Sequence, residues 1–163
     1  EENSMNQKYS RLRRLFLQGA GLLGAGVLAG KARAHHTDTH FEDKSSHQLV
    51  YQCNKSDDDY LGHILFSCGE MLREYGDDIE LVVTVFGPGL HLLAKRPGRP
   101  VSAIHQQRAS SLASYGVAFH ACGNTMKSLN WTEDDLMDFA EVVQVGAVDL
   151  MELQEKGFSY ISW

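Results

Sequence analysis

From residue 47 onward the apolar positions follow two alternating rhythms. Short continuous apolar runs rich in β-branched and aromatic residues cover residues 48–53, 79–86, 117–121 and 141–145. Such runs predict strands, and the unbroken one at 79–86 predicts a strand buried on both faces. Between the runs, apolar residues recur every three or four positions. After a cap at Asp57-Asp-Asp59, the residues Leu61, Ile64, Leu65, Cys68, Met71 and Leu72 fall on one face of a helix reaching about Tyr75. Gly87-Pro-Gly89 turns the chain into a short helix at 90–94, and Pro97-Gly-Arg-Pro100 marks an exposed loop. Residues 102–114 read as a helix with Ile104, Arg108 and Leu112 along one face. A helix or turn follows from Thr125, and Thr132-Glu-Asp-Asp135 caps another short one. Residues 147–156 form a last helix with Gly157 as its C-cap, and 158–161 a final edge strand.

Strand and helix alternating in this way imply a mostly parallel sheet with helices on both faces and right-handed crossovers. The expected fold is therefore α/β: a three-layer α/β/α sandwich with a flavodoxin-like five-stranded sheet, in the order 2-1-3-4-5. No G-x-G-x-x-G occurs, Gly87-Pro-Gly89 is too short for one, and the order differs from that of a dinucleotide-binding domain.

The first 34 residues have a different character. Arg13-Arg14-Leu-Phe-Leu17 is a twin-arginine pattern, a Gly/Ala/Leu-rich run follows, and Ala32-Arg-Ala34 fits a small-x-small cleavage site. Together they read as an export signal covering residues 1–34 and predict a periplasmic or otherwise exported protein. The apolar run is shorter than the roughly 20 residues a spanning helix needs, so no stable membrane span is expected in the mature chain. Residues 35–46 are polar and read as a flexible leader before a single domain at 47–163. His35, His36, Asp38 and His40 in that leader can bind a metal only opportunistically, without a fixed scaffold.

The 163-residue chain has a formal charge of −6. Residues 1–34 hold six Lys/Arg and two acids, so the remainder carries nine basic and nineteen acidic residues, a charge of −10. A surface of that sign repels nucleic acid. No acid–base pair, serine nucleophile motif or phosphate loop appears, and neither a cofactor nor a metal is expected.

The candidate chemistry centres on Val117-Ala-Phe-His-Ala-Cys122-Gly-Asn-Thr125. A strand here ends on a thiol, and a helix starts at once. Open α/β sheets do their chemistry at such edges, and a helix N-terminus favours thiolate. Asn124 and Thr125 can cap that helix and present N–H groups to an anionic sulfur. His120 shares a strand face with Cys122, and His91 follows the second strand. Cys68 sits on the core side of its helix and reads as structural. In the expected order Cys53 and Cys122 end neighbouring strands, within disulfide reach, so Cys53 is a candidate resolving thiol. The alternatives are a structural disulfide, or two thiols on opposite faces. A zinc site from Cys53, Cys122, His91 and His120 lacks C-x-x-C or H-x-x-x-H spacing. Gln52, Asn54, Gly87 and Gly89 also fall at strand ends and with Asn124 and Thr125 form a candidate small-ligand pocket.

Four segments in this order carry a family resemblance: Leu49-Val-Tyr-Gln-Cys53, Ile79-Glu-Leu-Val-Val-Thr-Val-Phe-Gly-Pro-Gly89, Gly116-Val-Ala-Phe-His-Ala-Cys-Gly-Asn-Thr125 and Val145-Gly-Ala-Val-Asp-Leu-Met-Glu-Leu-Gln-Glu-Lys-Gly157. The chain resembles the DsrE/DsrF-like family, whose best-known members relay sulfur as cysteine persulfides. The resemblance implies that Cys122, after the third strand, is the sulfur-carrying residue. It further implies a carrier rather than a high-turnover enzyme, sulfur donor and acceptor proteins as partners, and a trimeric or hexameric homo-oligomer. Two other functions fit the residues: a non-catalytic ligand-binding or assembly module, and a thiol–disulfide protein using Cys53 and Cys122.

Overall fold

The computed structural model describes residues 45–163. The twin-arginine segment and the histidine-rich part of the leader lie outside the described residues. The elements follow the expected alternation: β1 (His47–Cys53), α1 (Asp58–Tyr75), β2 (Ile79–Val85), α2 (Ala103–Ser114), β3 (Ala118–Cys122), α3 (Gly123–Leu129), β4 (Ala140–Val143), α4 (Gly146–Glu155) and β5 (Ser159–Ile161). Three 3-10 segments, Gly76–Asp78, Gly87–Leu93 and Glu133–Asp135, join them. Thr132 opens the last of these with a capping box closed by Asp135.

All four strand pairings are parallel, and the sheet has helices on both faces. The strand order is 4-3-2-1-5, not 2-1-3-4-5. Each of the first four strands lies beside its predecessor, so β2 stands between β1 and β3. Its Val82, Val83 and Val85 are buried, which suits a central strand covered on both sides. Three successive right-handed crossovers in one direction put their helices on one face, and the return from β4 to β5 puts α4 on the other.

The packing shows this division. On one face Leu49, Tyr51, Cys53, Leu81, Val83, Val85, Phe119 and Ala121 meet Leu61, Ile64, Leu65 and Cys68 of α1, Ala109 and Leu112 of α2 and Met126 of α3. On the other, Val50 and Val82 meet Leu150 and Leu153 of α4 and Phe158. Burying each such side chain contributes about 1.5–3 kcal/mol before the entropy of ordering is subtracted. The buried side of α2 is His105, Ala109 and Leu112 rather than Ile104, Arg108 and Leu112, and Ile104 is exposed. The His105 Nε2 bonds the Asp58 carboxylate at 2.8 Å, a pairing that tolerates histidine against α1.

Two glycines shape the strand ends. A Cβ on Gly89 would run into the Cys53 carbonyl, so only glycine lets this segment pack on the end of β1. Gly157 has φ +104°, the left-handed conformation expected just past a helix end.

Candidate functional site

β3 leads into α3 on the first face, whereas β4, its neighbour, leads into α4 on the opposite face. The sheet therefore has its topological switch between β3 and β4, where a crevice opens at the strand ends. Cys122 sits there. It is the last residue of β3, pairs with Val143 of β4 and is the N-cap of α3.

One backbone N–H reaches its sulfur directly. Sγ accepts the N–H of Gly146, the first residue of α4, at 3.3 Å. Thr125 and Asn124, in the first turn of α3, also favour the charged form of the sulfur, although the Asn124 N–H itself bonds the Gln144 carbonyl at 3.2 Å. Thr125 Oγ1 accepts the Gly87 N–H at 3.0 Å. Burial alone raises the Cys122 pKa, but the Gly146 N–H and the nearby polar groups of Thr125 and Asn124 outweigh it and hold the thiol below its ordinary value. A Cβ on Gly146 would stand 3.3 Å from the Cys122 Cβ and 3.1 Å from Phe86, so glycine lets α4 begin this close to the thiol.

His120 lies two residues before Cys122 on the same strand face. Its Nδ1 is 2.9 and 3.0 Å from the two carboxylate oxygens of Asp149, and Asp149 accepts the Thr84 hydroxyl at 2.6 Å. Burial pushes the Asp149 carboxyl up, but the bonds from His120 and Thr84 and the nearby charges of His120 and Lys156 bring it below its usual value. An ionised carboxylate only accepts, so Nδ1 carries an N–H and Nε2 is left for proton exchange. Gly146 and Asp149 are one turn apart on α4, so this helix supports both the thiol and the histidine.

Beside the thiol is a pocket of about 370 Å³ between the Gly87–Leu93 segment and α3, lined by Gly87, His91, Arg99, Asn124, Thr125 and Ser128 among others. His91 is buried, and its Nδ1 accepts the Gly98 N–H at 3.0 Å, which places the ring proton on Nε2. Burial, followed by the charge of Arg99, holds its pKa below the ordinary value.

Cys53 does not belong to this site. β2 separates it from β3, and two strand spacings are about 9–10 Å, past the roughly 7 Å limit for a disulfide. The register places Cys53 level with Val85 and Ala121 on the α1 face, whereas Cys122 takes the α4 face. Burial and the neighbouring Cys68 push the Cys53 thiol up to about 12, and burial pushes Cys68 to about 12 as well. All three cysteines are free thiols.

Gln52 and Asn54 are likewise occupied elsewhere. Gln52 accepts the Tyr160 hydroxyl at 2.7 Å, and Asn54 is joined to the Tyr60 hydroxyl through both its N–H and its side chain. Gly89 is buried under the end of β1. Thus His91, Asn124, Thr125 and Gly87 gather around one pocket, His120 shares the strand face of Cys122 and is held by Asp149, and Cys53, Gln52, Asn54 and Gly89 stay out. Among the described residues no group of three or more His, Cys, Asp or Glu is placed to hold a metal ion.

Sequence reasoning missed Thr84, Arg99, Ser128, Gly146 and Asp149. A signal existed for Thr84, a hydroxyl inside an otherwise apolar run. Asp149 carried none, because an acid in the first turn of an amphipathic helix usually faces water.

The described residues form a parallel α/β sheet with a free thiol at its switch point. The chain belongs to the DsrE/DsrF-like family, whose model matches residues 49–163. Among solved structures it is similar to the protein of unknown function MTH1491 from Methanobacterium thermoautotrophicum, with 20% identity and a TM-score of 0.65, covering 72% of this chain and 99% of that one. It is also similar to the ychN protein of E. coli, with 15% identity and a TM-score of 0.58, over the same shares of the two chains. At these identities the likeness is one of fold. No curated protein matches the sequence. No described helix is long and apolar enough to cross a membrane.

Proposed function

We propose that this protein handles sulfane sulfur through a persulfide on Cys122. The observation that carries the reading is the place of Cys122 at the switch point with the Gly146 N–H on its sulfur, a setting that favours thiolate, whereas burial pushes the Cys53 and Cys68 thiols up. In the uptake step the Cys122 thiolate attacks the terminal sulfur of a donor persulfide. A new S–S bond forms at Sγ, the donor's S–S bond breaks, and the donor leaves as a thiolate. Release repeats the exchange: an acceptor thiolate takes the outer sulfur and Cys122 departs as thiolate. Neither step needs an outside oxidant or reductant. His120, held by Asp149, is suited to take the proton when Cys122 starts as a thiol.

Family membership supports the carrier role, with donor and acceptor proteins as partners. The twin-arginine pattern at Arg13 and Arg14 supports export, and exposed Val142 on edge strand β4 together with Val148 and Met151 on α4 supports a homo-oligomer. A thiol–disulfide function through Cys53 is disfavoured by the intervening β2.

The test is transfer. Protein loaded with labelled sulfane sulfur, freed of donor and mixed with a small-molecule thiol, passes the label to the thiol with one equivalent per chain. A Cys122→Ser chain that loads and passes label as the wild type does contradicts the proposal.

A further inference from the structure

The pocket beside the thiol has a charge unlike that of its surroundings. The chain as a whole is acidic, at −6, yet no acid is among the described residues lining this pocket. Arg99 lines it and forms no ion pair among the described residues. The remaining polar wall is rich in donors. His91 is fixed by Gly98 in the tautomer that carries its proton on Nε2. The Asn124 side-chain amide adds a further donor, whereas the Ser128 hydroxyl gives its proton to the Asn124 carbonyl at 3.0 Å. A guanidinium without a counter-charge and a neutral imidazole N–H, in a hollow of about 370 Å³, fit a ligand of a few heavy atoms that accepts hydrogen bonds and carries negative charge.

We infer that this pocket binds a small oxyanion, inorganic or carboxylate, with Arg99 as its charge partner and His91 as a neutral donor. Asn124 and Thr125, which line the pocket, stand in the first turn of the helix that Cys122 caps, so the pocket and the thiol share the start of α3. Resting on the sulfur reading, this makes the oxyanion the charged end of the molecule that exchanges sulfur with Cys122. The pocket would then select small anionic sulfur compounds over uncharged ones. The binding itself does not depend on the sulfur chemistry.

The experiment is a titration of the full chain with sodium sulfate and, separately, with sodium acetate, at constant ionic strength set by sodium chloride. Amide resonances of Gly98, Asn124 and Thr125 are followed by NMR. The expected result is saturable shifts at these amides, weakened about tenfold or more in Arg99→Gln and only partly in Arg99→Lys, as removal of a charge-assisted hydrogen bond requires. Saturation by sulfate alone assigns the pocket to tetrahedral anions, and saturation by acetate alone to carboxylates. The control Arg73→Gln, on α1, leaves binding unchanged. Shifts that fail to saturate with either salt, or that persist unchanged in Arg99→Gln, overturn the inference. Cys122→Ser separates the two proposals. Anion binding retained in that variant supports the pocket whatever Cys122 does, whereas a wild type that loads sulfur but ignores both anions removes the pocket and leaves the sulfur reading standing.

Discussion

At Cys122 two opposing effects meet: a sulfur that is mostly out of water, and surrounding polar groups, led by the Gly146 N–H, that prefer it charged. The polar groups prevail, and the Thr125 hydroxyl is the one a substitution can remove with little change of shape. Thr125→Val therefore raises the midpoint of thiolate formation. The pH dependence of alkylation of the folded protein measures it: the wild-type midpoint lies below the ordinary thiol range and the variant's lies higher. Asp149 supplies a second residue-scale prediction. Its pKa in the folded chain is lowered, so the unfolded chain binds more protons at acid pH and stability rises with pH there. The carboxylate's contribution is full above the unfolded value of about 3.9 and is lost as pH falls through the lower folded value. Asp149→Asn abolishes that dependence and costs about 1–3 kcal/mol at neutral pH, because His120 and Thr84 lose a charged acceptor. Urea unfolding across the acid range, compared with wild type, tests both parts.

Among the elements, α4 has the largest effect on the site. Its first N–H reaches the Cys122 sulfur and its first turn carries the acid that holds His120. Gly146→Ala places a methyl against Phe86 and the Cys122 Cβ and moves the helix start away from the sulfur. The expected outcome is a modest loss of stability, about 1–3 kcal/mol for overpacking, with a higher alkylation midpoint for Cys122. Calorimetry and the alkylation profile together distinguish this from a purely structural effect, which leaves the midpoint unchanged. The elements themselves were largely legible in the sequence, since buried parallel strands are continuous apolar runs and α1 repeats its apolar face from Leu61 to Leu72. The face of α2 was not legible: Ile104 looks like core and His105 does not, yet an aspartate on α1 receives the histidine and leaves the isoleucine outside.

For the whole molecule, the thiol at the end of β3 could be read from the chain, but its surroundings could not. The pattern of apolar runs says that strands are buried without saying which strands are neighbours. That is decided by the direction of each crossover, and the choice moved the switch point from β1 and β3 to β3 and β4. Cys53 thereby left the site, and Asp149 and Gly146, brought by the return helix, entered it. A consequence follows for the thiols as a set. Cys53→Ala costs about 1 kcal/mol from the small cavity it leaves and does not alter sulfur uptake. Sulfur uptake that falls with Cys53→Ala at unchanged folding contradicts the topology.

The most direct measurement is the intact mass of the folded protein after exposure to polysulfide, with and without reductant, for wild type and Cys122→Ser. The account predicts a mass increment of one sulfur atom that reductant removes, present in the wild type and absent from the variant. A wild type that gains no sulfur, with Cys122 inert to alkylation in the folded state, contradicts it, as does an increment of equal size in Cys122→Ser.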